Sequence, residues 1–233
     1  MIITGKLIGY GRAKAAYGNG VHYQIVLPDK TLDNLKAIAL EGQRWLVTAE
    51  RLRNLANEGH LDVAIARRAT FTEEVLASIG EYLRIGAFFN ALAVDDYGRI
   101  IGASSYGIMF PGEAALNLQA IDPANLAGAP GSQQLRGIGT AMVAAISRQL
   151  LHDNIESVIL HPFDQQAAIF WYKRGFVPAG KGGLMRLSGR KGIEKLIDGC
   201  IAVPDEPGKG DIVICGEERT TAPVRLPQAA SVH

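Results

Sequence analysis

A glycine-containing segment between an apolar strand and an apolar helix offers the clearest chemistry in this sequence. It reads Gln-Leu-Arg-Gly-Ile-Gly-Thr-Ala over residues 134–141. The first amides of a helix have no partners within the helix and lie at the positive end of its dipole, so they attract anions. Gly137 and Gly139 leave the backbone open to a close approach. The segment predicts a cradle for phosphate oxygens, although glycines that merely permit a tight turn explain the same pattern.

The composition and net charge of the chain argue against several classes of function. The chain has 233 residues, of which 48% are apolar and 20% charged, and its net charge is +1. This balance provides no overall field toward nucleic acid or an anionic membrane, and no apolar run approaches the roughly 18 residues of a membrane helix. The first residues lack the pattern of a secretory signal, so we expect a cytoplasmic protein. Neither the two cysteines nor the five histidines have metal-ligand spacing, so no metal site is expected.

Apolar periodicity and turn residues predict strands and helices in a mixed order. Residues 70–73 (Thr-Phe-Thr-Glu) have the spacing of a capping box and predict a helix from there to about residue 84. Residues 95–98 (Asp-Asp-Tyr-Gly) predict the turn of a hairpin. The expected strands are 2–10, 21–27, 61–66, 88–94, 100–108, 114–121, 157–160, 184–187 and 211–215, and the other expected helices are 32–40, 45–56, 137–151, 165–174 and one shortly after 190.

This order of elements is typical of an α/β or α+β layer fold with a mixed sheet. We expect residues 1–60 to form an N-terminal extension, with two strands around a turn-rich middle (Gly18-Asn19-Gly20) and two helices. Residues 61–190 are expected to form the core. Residues 191–233 are expected to form a C-terminal extension with a Pro/Gly linker over 203–210 and a polar tail.

Four segments, in order and spacing, resemble those of a known family. The Gln-x-x-Gly-x-Gly pattern of residues 134–139 resembles the R/Q-x-x-G-x-G/A signature of the GNAT superfamily of acyl-CoA-dependent N-acyltransferases. Residues 120–123 (Ala-Ile-Asp-Pro) resemble the end of its fourth strand, and residues 157–160 stand where its fifth strand is expected. Residues 167–176 resemble its A-x-x-(L/F)-Y-x-x-x-G-F helix ending. The resemblance covers about residues 61–187.

The resemblance implies a GNAT-like fold and the transfer of an acetyl or short acyl group from coenzyme A to a primary amine. It also implies that acetyl-CoA places its pyrophosphate on the amides of residues 135–140 and its pantetheine arm along the fourth strand. Asp164 stands where the family often has an asparagine bonded to this arm, although a helix cap explains it too. Arg136, Lys181 and Arg186 are candidates for a phosphate contact or are solvated charges. The implied cofactor-binding residues are Ala120, Ile121, Gln134, Leu135, Arg136, Gly137, Ile138, Gly139, Thr140 and Asp164.

Two departures from the family pattern concern catalysis. Trp171 occupies the position where the family commonly has a tyrosine that protonates the leaving thiolate, and an indole N–H cannot serve as this acid. Tyr172 is the adjacent candidate, yet one residue along a helix is a rotation of about 100°, and water is the alternative acid because a thiol is a good leaving group. Asn117, acting through water, is a candidate base, and Glu113 and Asp122 are further ones. His161 follows the fifth strand and either faces the acceptor site or has a structural or solvent-facing role. The other departure is the long loop over 124–134, which shapes the acceptor site or is an idle insertion.

Three functions remain open at this point. The favoured one is an N-acetyltransferase acting on a small or macromolecular primary amine. A non-enzymatic module on the same fold, binding coenzyme A or a partner, is the alternative that Trp171 supports best. A toxin-type acetyltransferase acting on aminoacyl-tRNA is the third. We expect no membrane partner, disfavour nucleic acid because the basic clusters lack interleaved aromatic residues, and leave a homodimer open.

Overall fold

A computed structural model describes residues 3–15, 20–132, 134–180, 182–200 and 211–213. Within these residues the strands are β1 (Gly5–Ala13), β2 (Val21–Pro28), β3 (Phe89–Asp95), β4 (Ile100–Phe110), β5 (Glu113–Ile121), β6 (Ser157–Leu160), β7 (Val177–Pro178), β8 (Met185–Ser188) and β9 (Asp211–Val213). The helices are α1 (Leu32–Asn57), α2 (Val63–Ile85), α3 (Ile138–His152), α4 (Gln165–Tyr172) and α5 (Arg190–Cys200), with a short 3₁₀ turn at Pro123–Asn125.

The described strands form one mixed sheet in the order β7-β8-β6-β5-β4-β3-β2-β1-β9. All neighbouring pairs are antiparallel except β5 and β6, which run parallel because α3 connects them as a crossover. The predicted α/β fold with a mixed sheet is therefore confirmed. None of the described helices is long and apolar enough to cross a membrane.

Strand alternation divides the core into two layers. On β3, Ala91 and Ala93 point to the face covered by α3 and α5, whereas Leu92 and Val94 point to the face covered by α1 and α2. Trp45 of α1 is fully buried in the second layer. Because both faces are covered, the central strands are buried on both faces and mostly apolar rather than alternating with exposed polar residues.

A β-bulge in β5 shapes the middle of the sheet. Ser105 pairs with Leu118 and Tyr106 pairs with Leu116, so Asn117 has no opposite residue on β4. A bulge of this kind bends the strand that carries it. The parallel pairing with β6 ends at Leu116, and β5 continues to residue 121 with β4 as its partner on the other side. The two strands therefore form a fork.

The strand predicted over 61–66 is wrong, because these residues lead into α2. Asp62 caps this helix, with its side chain accepting a hydrogen bond of 2.8 Å from the amide of Ala64. The predicted capping box at 70–73 falls inside the helix, where the Thr70 hydroxyl donates to the carbonyl of Ala66 at 3.2 Å. A short apolar run cannot distinguish a strand from a buried helix turn, and Asp62 is the stronger start signal.

The helices predicted over 32–40 and 45–56 are one continuous helix. Residues 41–44 between them contain no large apolar side chain, but Glu41 and Arg44 form contacts inside the molecule. Glu41 is only 8% exposed, and Arg44 binds it at 2.7 Å. Arg44 also reaches Asp122 at 2.6 Å. A polar stretch thus stays helical because its charges are paired inside the molecule.

Residues before position 60 share the sheet and the core with residues after it. β2 pairs with β3, and α1 packs against α2 and shares its core. At the other end, α5 packs on α3 with Ile193 fully buried. Residues on both sides of 60, and of 190, therefore belong to one layered unit. The turn expected around Gly18-Asn19-Gly20 lies mostly outside the described residues, as do the linker over 203–210 and the tail from 214 onward.

Candidate functional site

A cavity of about 510 Å³ lies at the fork between β5 and β6. The second half of β5 forms its floor, and the start of α3, the loop from β6 into α4, and α2 form its walls. Every residue predicted to bind the cofactor lines this cavity, and so does Asn117. Segments far apart in the chain, 117–121, 134–140 and 161–164, are thus brought together.

The first turn of α3 presents its amides to this cavity. The helix starts after Gly137, which is the N-cap residue and has no side chain that could cap it. The first bond within the helix is the one from the amide of Ala141 to the carbonyl of Gly137, at 2.9 Å. The amides of Ile138, Gly139 and Thr140 precede it and therefore have no partner within the helix. This is the arrangement that binds anions.

Positions 137 and 139 are glycine for different physical reasons. Gly137 has a φ of 95°, a left-handed conformation that favours glycine, so the tight-turn explanation holds there. At Gly139 a Cβ would lie 3.5 Å from Nε2 of Gln119 and 4.0 Å from Cγ2 of Ile121, which are ordinary contacts. The chain's own packing thus tolerates a side chain at 139. The absent side chain instead leaves the cavity wall bare beside the free amides.

Of the six amides predicted to bind the pyrophosphate, those of residues 135–140, not all are available in the structure. The amide of Arg136 donates to the carbonyl of Lys14 at 3.0 Å, because the end of β1 lies against this loop. That amide is occupied, and the Arg136 side chain is exposed. Arg186 pairs with Glu113 at 2.9 Å and is not among the lining residues. Lys181 lies outside the described residues.

Arg174 lies beside the cradle, and sequence reasoning missed it. Its guanidinium stacks 3.4 Å above the ring of Phe170 and donates to the Thr140 hydroxyl at 3.1 Å. The contact depends on α4 lying next to the start of α3, which is a tertiary relation. Only the i, i+4 spacing from Phe170 to Arg174 could have indicated it.

Asp164 has partners on both carboxylate oxygens. One oxygen accepts from the amide of Ala167 at 2.8 Å and caps α4. The other accepts from Arg68 on α2, at 2.7 and 3.0 Å. Partial burial acts to raise the pKa of Asp164, but these hydrogen bonds and the arginine charge outweigh it and hold the pKa below its usual value. The helix-cap interpretation of Asp164 thus has direct geometric support.

Tyr172 lies outside the cavity. Its side chain is 66% exposed, and it is not among the lining residues. Trp171 points inward instead, is 7% exposed, and packs edge-on against Phe170 and Phe176. The expectation that Tyr172 reaches the reacting atoms is not supported, because α4 is regular and the next residue turns to the other side.

Two of the acidic candidates for a base have structural roles. Asp122 is buried at the end of β5, where it binds Arg44 and accepts from the amide of Ala124 at 2.9 Å. Burial raises the pKa of Asp122, although the charge of Arg44 opposes the effect. Glu113 is at the far end of β5 in its ion pair with Arg186. Neither lines the cavity, whereas Asn117 and His161 do.

The long loop after β5 is a wall of the cavity rather than an idle insertion. Leu126 and Ala129 pack against Ala49 and Leu52 of α1 and Ala69 of α2. Asn125, Leu126 and Ala127 line the cavity beside the fork. The loop is therefore held by the two helices that cover this face of the sheet.

Comparison with known proteins gives likenesses of fold. No family model matches the chain, and no curated protein matches it. Among solved structures, AtaTR bound with acetyl-CoA is similar at 16% identity over 53% of this chain and 82% of that one, with a TM-score of 0.41. The KacTA–DNA complex is similar at 19% identity over 55% and 86%, with a TM-score of 0.42. Ard1 from Thermoplasma volcanium is similar at 18% identity over 50% and 77%, with a TM-score of 0.36.

Proposed function

We propose that this protein is an N-acetyltransferase that transfers an acetyl or another short acyl group from coenzyme A to a primary amine. The observation that carries the proposal is the start of α3, where unpaired helix amides and the bare Gly139 face a cavity at the end of a strand fork. When bound, coenzyme A supplies the acyl group as a thioester.

The residues present fit a diphosphate at the start of α3. Three consecutive amides, of residues 138–140, have no partner within the helix, and the helix dipole favours a negative charge. Gly139 lets the anion approach the backbone. Arg174 adds a positive charge within 3.1 Å of Thr140. These features would hold the charged part of the cofactor without any metal ligand.

The free edge of β5 fits an extended arm that contains amide groups. Beyond Leu116 no strand of the described residues pairs with this edge, so those backbone groups of residues 117–121 that do not pair with β4 remain available for hydrogen bonds. Ala120 is small and buried, so its side chain takes up little space at the floor of the cavity. An amide of this edge that donates to the thioester oxygen would stabilise the charge that develops there during attack.

The walls of the cavity would hold the amine against the thioester. The side of the cavity that faces the fork is closed by Phe71 and Thr72 of α2 and by Leu126 of the long loop. Fixing two reactants in an oriented pair removes much of the entropic cost of their meeting. Asn117 would position a water or the amine at the fork.

Calorimetry with coenzyme A tests the cradle. The variant Gly139→Glu puts a bulky negative group among the free amides, and we expect its affinity to fall by at least tenfold, an order-of-magnitude figure for one buried like charge. Gly42→Glu is the matched control, because nothing lies within 4 Å of a Cβ at this position of α1. Equal affinity of the two variants would contradict the proposal.

Thiol release from acetyl-CoA tests the activity. The acceptors are an alkylamine, a lysine peptide, a peptide N-terminus and an aminoacyl-tRNA, which together cover the acceptor classes that the sequence leaves open. We expect release with at least one of them. Binding of acetyl-CoA without release by any would instead indicate the non-enzymatic module.

A further inference from the structure

The proposed reaction needs a group that moves a proton. An amine that attacks a thioester loses one proton, and the departing sulfur takes one up. Trp171 lines the cavity at the position where the family that the sequence resembles commonly has a tyrosine. An indole neither takes up nor gives up a proton in such a step. Tyr172 is exposed on the other side of α4.

The described lining of the cavity contains four ionisable side chains, namely Arg68, Arg136, His161 and Asp164. Arginine stays protonated at all ordinary pH values. Asp164 is held ionised by the amide of Ala167 and by Arg68. Histidine is the side chain type that both takes and gives a proton near neutral pH. His161 is therefore the lining residue suited to this task.

His161 also occupies the mouth of the fork. The last parallel pair is Leu116 with Leu160, so the next residue on one strand is Asn117 and the next on the other is His161. Both are exposed and both line the cavity. They flank the point where β5 and β6 separate, next to the free strand edge that would hold the thioester.

We propose that His161 is a catalytic residue that carries the proton from the acceptor nitrogen to the sulfur, an inference that rests on the proposed function. The nitrogen lone pair forms the bond to the carbonyl carbon, and the carbon–sulfur bond breaks with its electron pair going to sulfur. The imidazole takes one proton from the nitrogen and gives one to the sulfur. The products are an amide and a free thiol, and the imidazole returns to its starting state.

The charged groups around His161 come from three elements. Arg67 and Arg68 lie on α2, Arg136 lies before α3, and Asp164 lies on the same loop as His161. Arg67 stacks over the ring of Phe163 at 5.4 Å.

The experiment compares His161→Ala and His161→Gln with His22→Ala, in which an exposed histidine of β2 is removed. Calorimetry should give all of them the acetyl-CoA affinity of the wild type. Thiol release with the best amine of the panel should fall by about 100-fold or more in both His161 variants, the usual size of general acid–base catalysis. His22→Ala should change nothing.

Histidine side-chain NMR provides a readout without turnover. The imidazole signal of His161 is identified as the one that is absent from the spectrum of His161→Ala. Adding acetyl-CoA should shift this signal and should leave the signal of His22 unchanged. If acetyl-CoA binds but this signal does not move, or if His161→Ala releases thiol at the wild-type rate, the role of His161 is wrong and the proposed function stands. Absence of acetyl-CoA binding, or of release by any amine, would overturn the proposed function itself.

Discussion

Asp164 links the cavity to the stability of α4. Its carboxylate caps the helix and binds Arg68, so Asp164→Ala should lower the free energy of unfolding by about 1 kcal/mol at pH 7, the usual value of an N-cap. Because the folded-state pKa is depressed, this contribution is present above the ordinary aspartate pKa and is lost as pH falls through the folded value. Urea unfolding at pH 7 and pH 3 checks it, with Asp96→Ala of the exposed hairpin turn as control. An equal difference at both pH values would contradict this account.

Substitution by alanine should lower the free energy of unfolding at Gly137 and raise it at Gly42. Gly137 has left-handed backbone torsions, so Gly137→Ala should cost about 1–2 kcal/mol of unfolding free energy. Gly42 lies inside α1 with open space around it, so Gly42→Ala should stabilise by about 0.5–1 kcal/mol. Denaturant unfolding of the two variants measures both. A neutral Gly137→Ala would mean that α3 does not start in this conformation.

At the scale of elements, Arg44 joins α1 to the end of β5 and to the loop that lines the cavity. Removing it leaves Asp122 buried without its cation, which typically costs about 3–5 kcal/mol. Arg44→Ala should therefore be strongly destabilising, whereas Arg53→Ala should change stability by less than about 0.5 kcal/mol. Arg53 lies on the same helix, and its exposed side chain is 3.9 Å from Glu50.

The loss in Arg44→Ala should depend on pH. Burial raises the pKa of Asp122 in the folded state, and without Arg44 the carboxyl should be raised further. A group with a raised folded pKa contributes stability below its unfolded value and loses it as pH rises through the folded one. The destabilisation should therefore be smaller at pH 4.5 than at pH 7.5 in thermal unfolding. A larger loss at pH 4.5 would refute this interpretation.

At the scale of the whole molecule, residues before 61 are part of the core. β2 supplies a central strand, and Trp45 of α1 is fully buried against α2. A chain beginning at residue 61 should therefore show no cooperative thermal unfolding by circular dichroism. The full-length chain, treated in the same way, is the control. A sharp unfolding transition of the truncated chain would contradict this prediction.

The sequence predicted those features that depend on local patterns. The strand at 157–160 and the helix after Gly137 follow from short apolar runs and turn residues, and the structure has them at nearly the same bounds. The segments that meet at the cavity were also predicted, but through a resemblance rather than through periodicity.

What the sequence could not predict depends on contacts between distant residues. The bulge at Asn117 exists only relative to the register of β4. The amide of Arg136 is occupied by Lys14, which is 122 positions earlier in the chain. The ion pair that Arg44 of α1 makes with Asp122 joins residues 78 positions apart. None of these relations leaves a local pattern, so propensity and spacing cannot indicate them.

A crystal structure with coenzyme A would show whether the start of α3 binds the diphosphate. We expect diphosphate oxygens within hydrogen-bonding distance of the amides of Ile138, Gly139 and Thr140, and the thiol at the fork between Asn117 and His161. A ligand bound elsewhere on the molecule, with the first turn of α3 making no contact to it, would contradict the account.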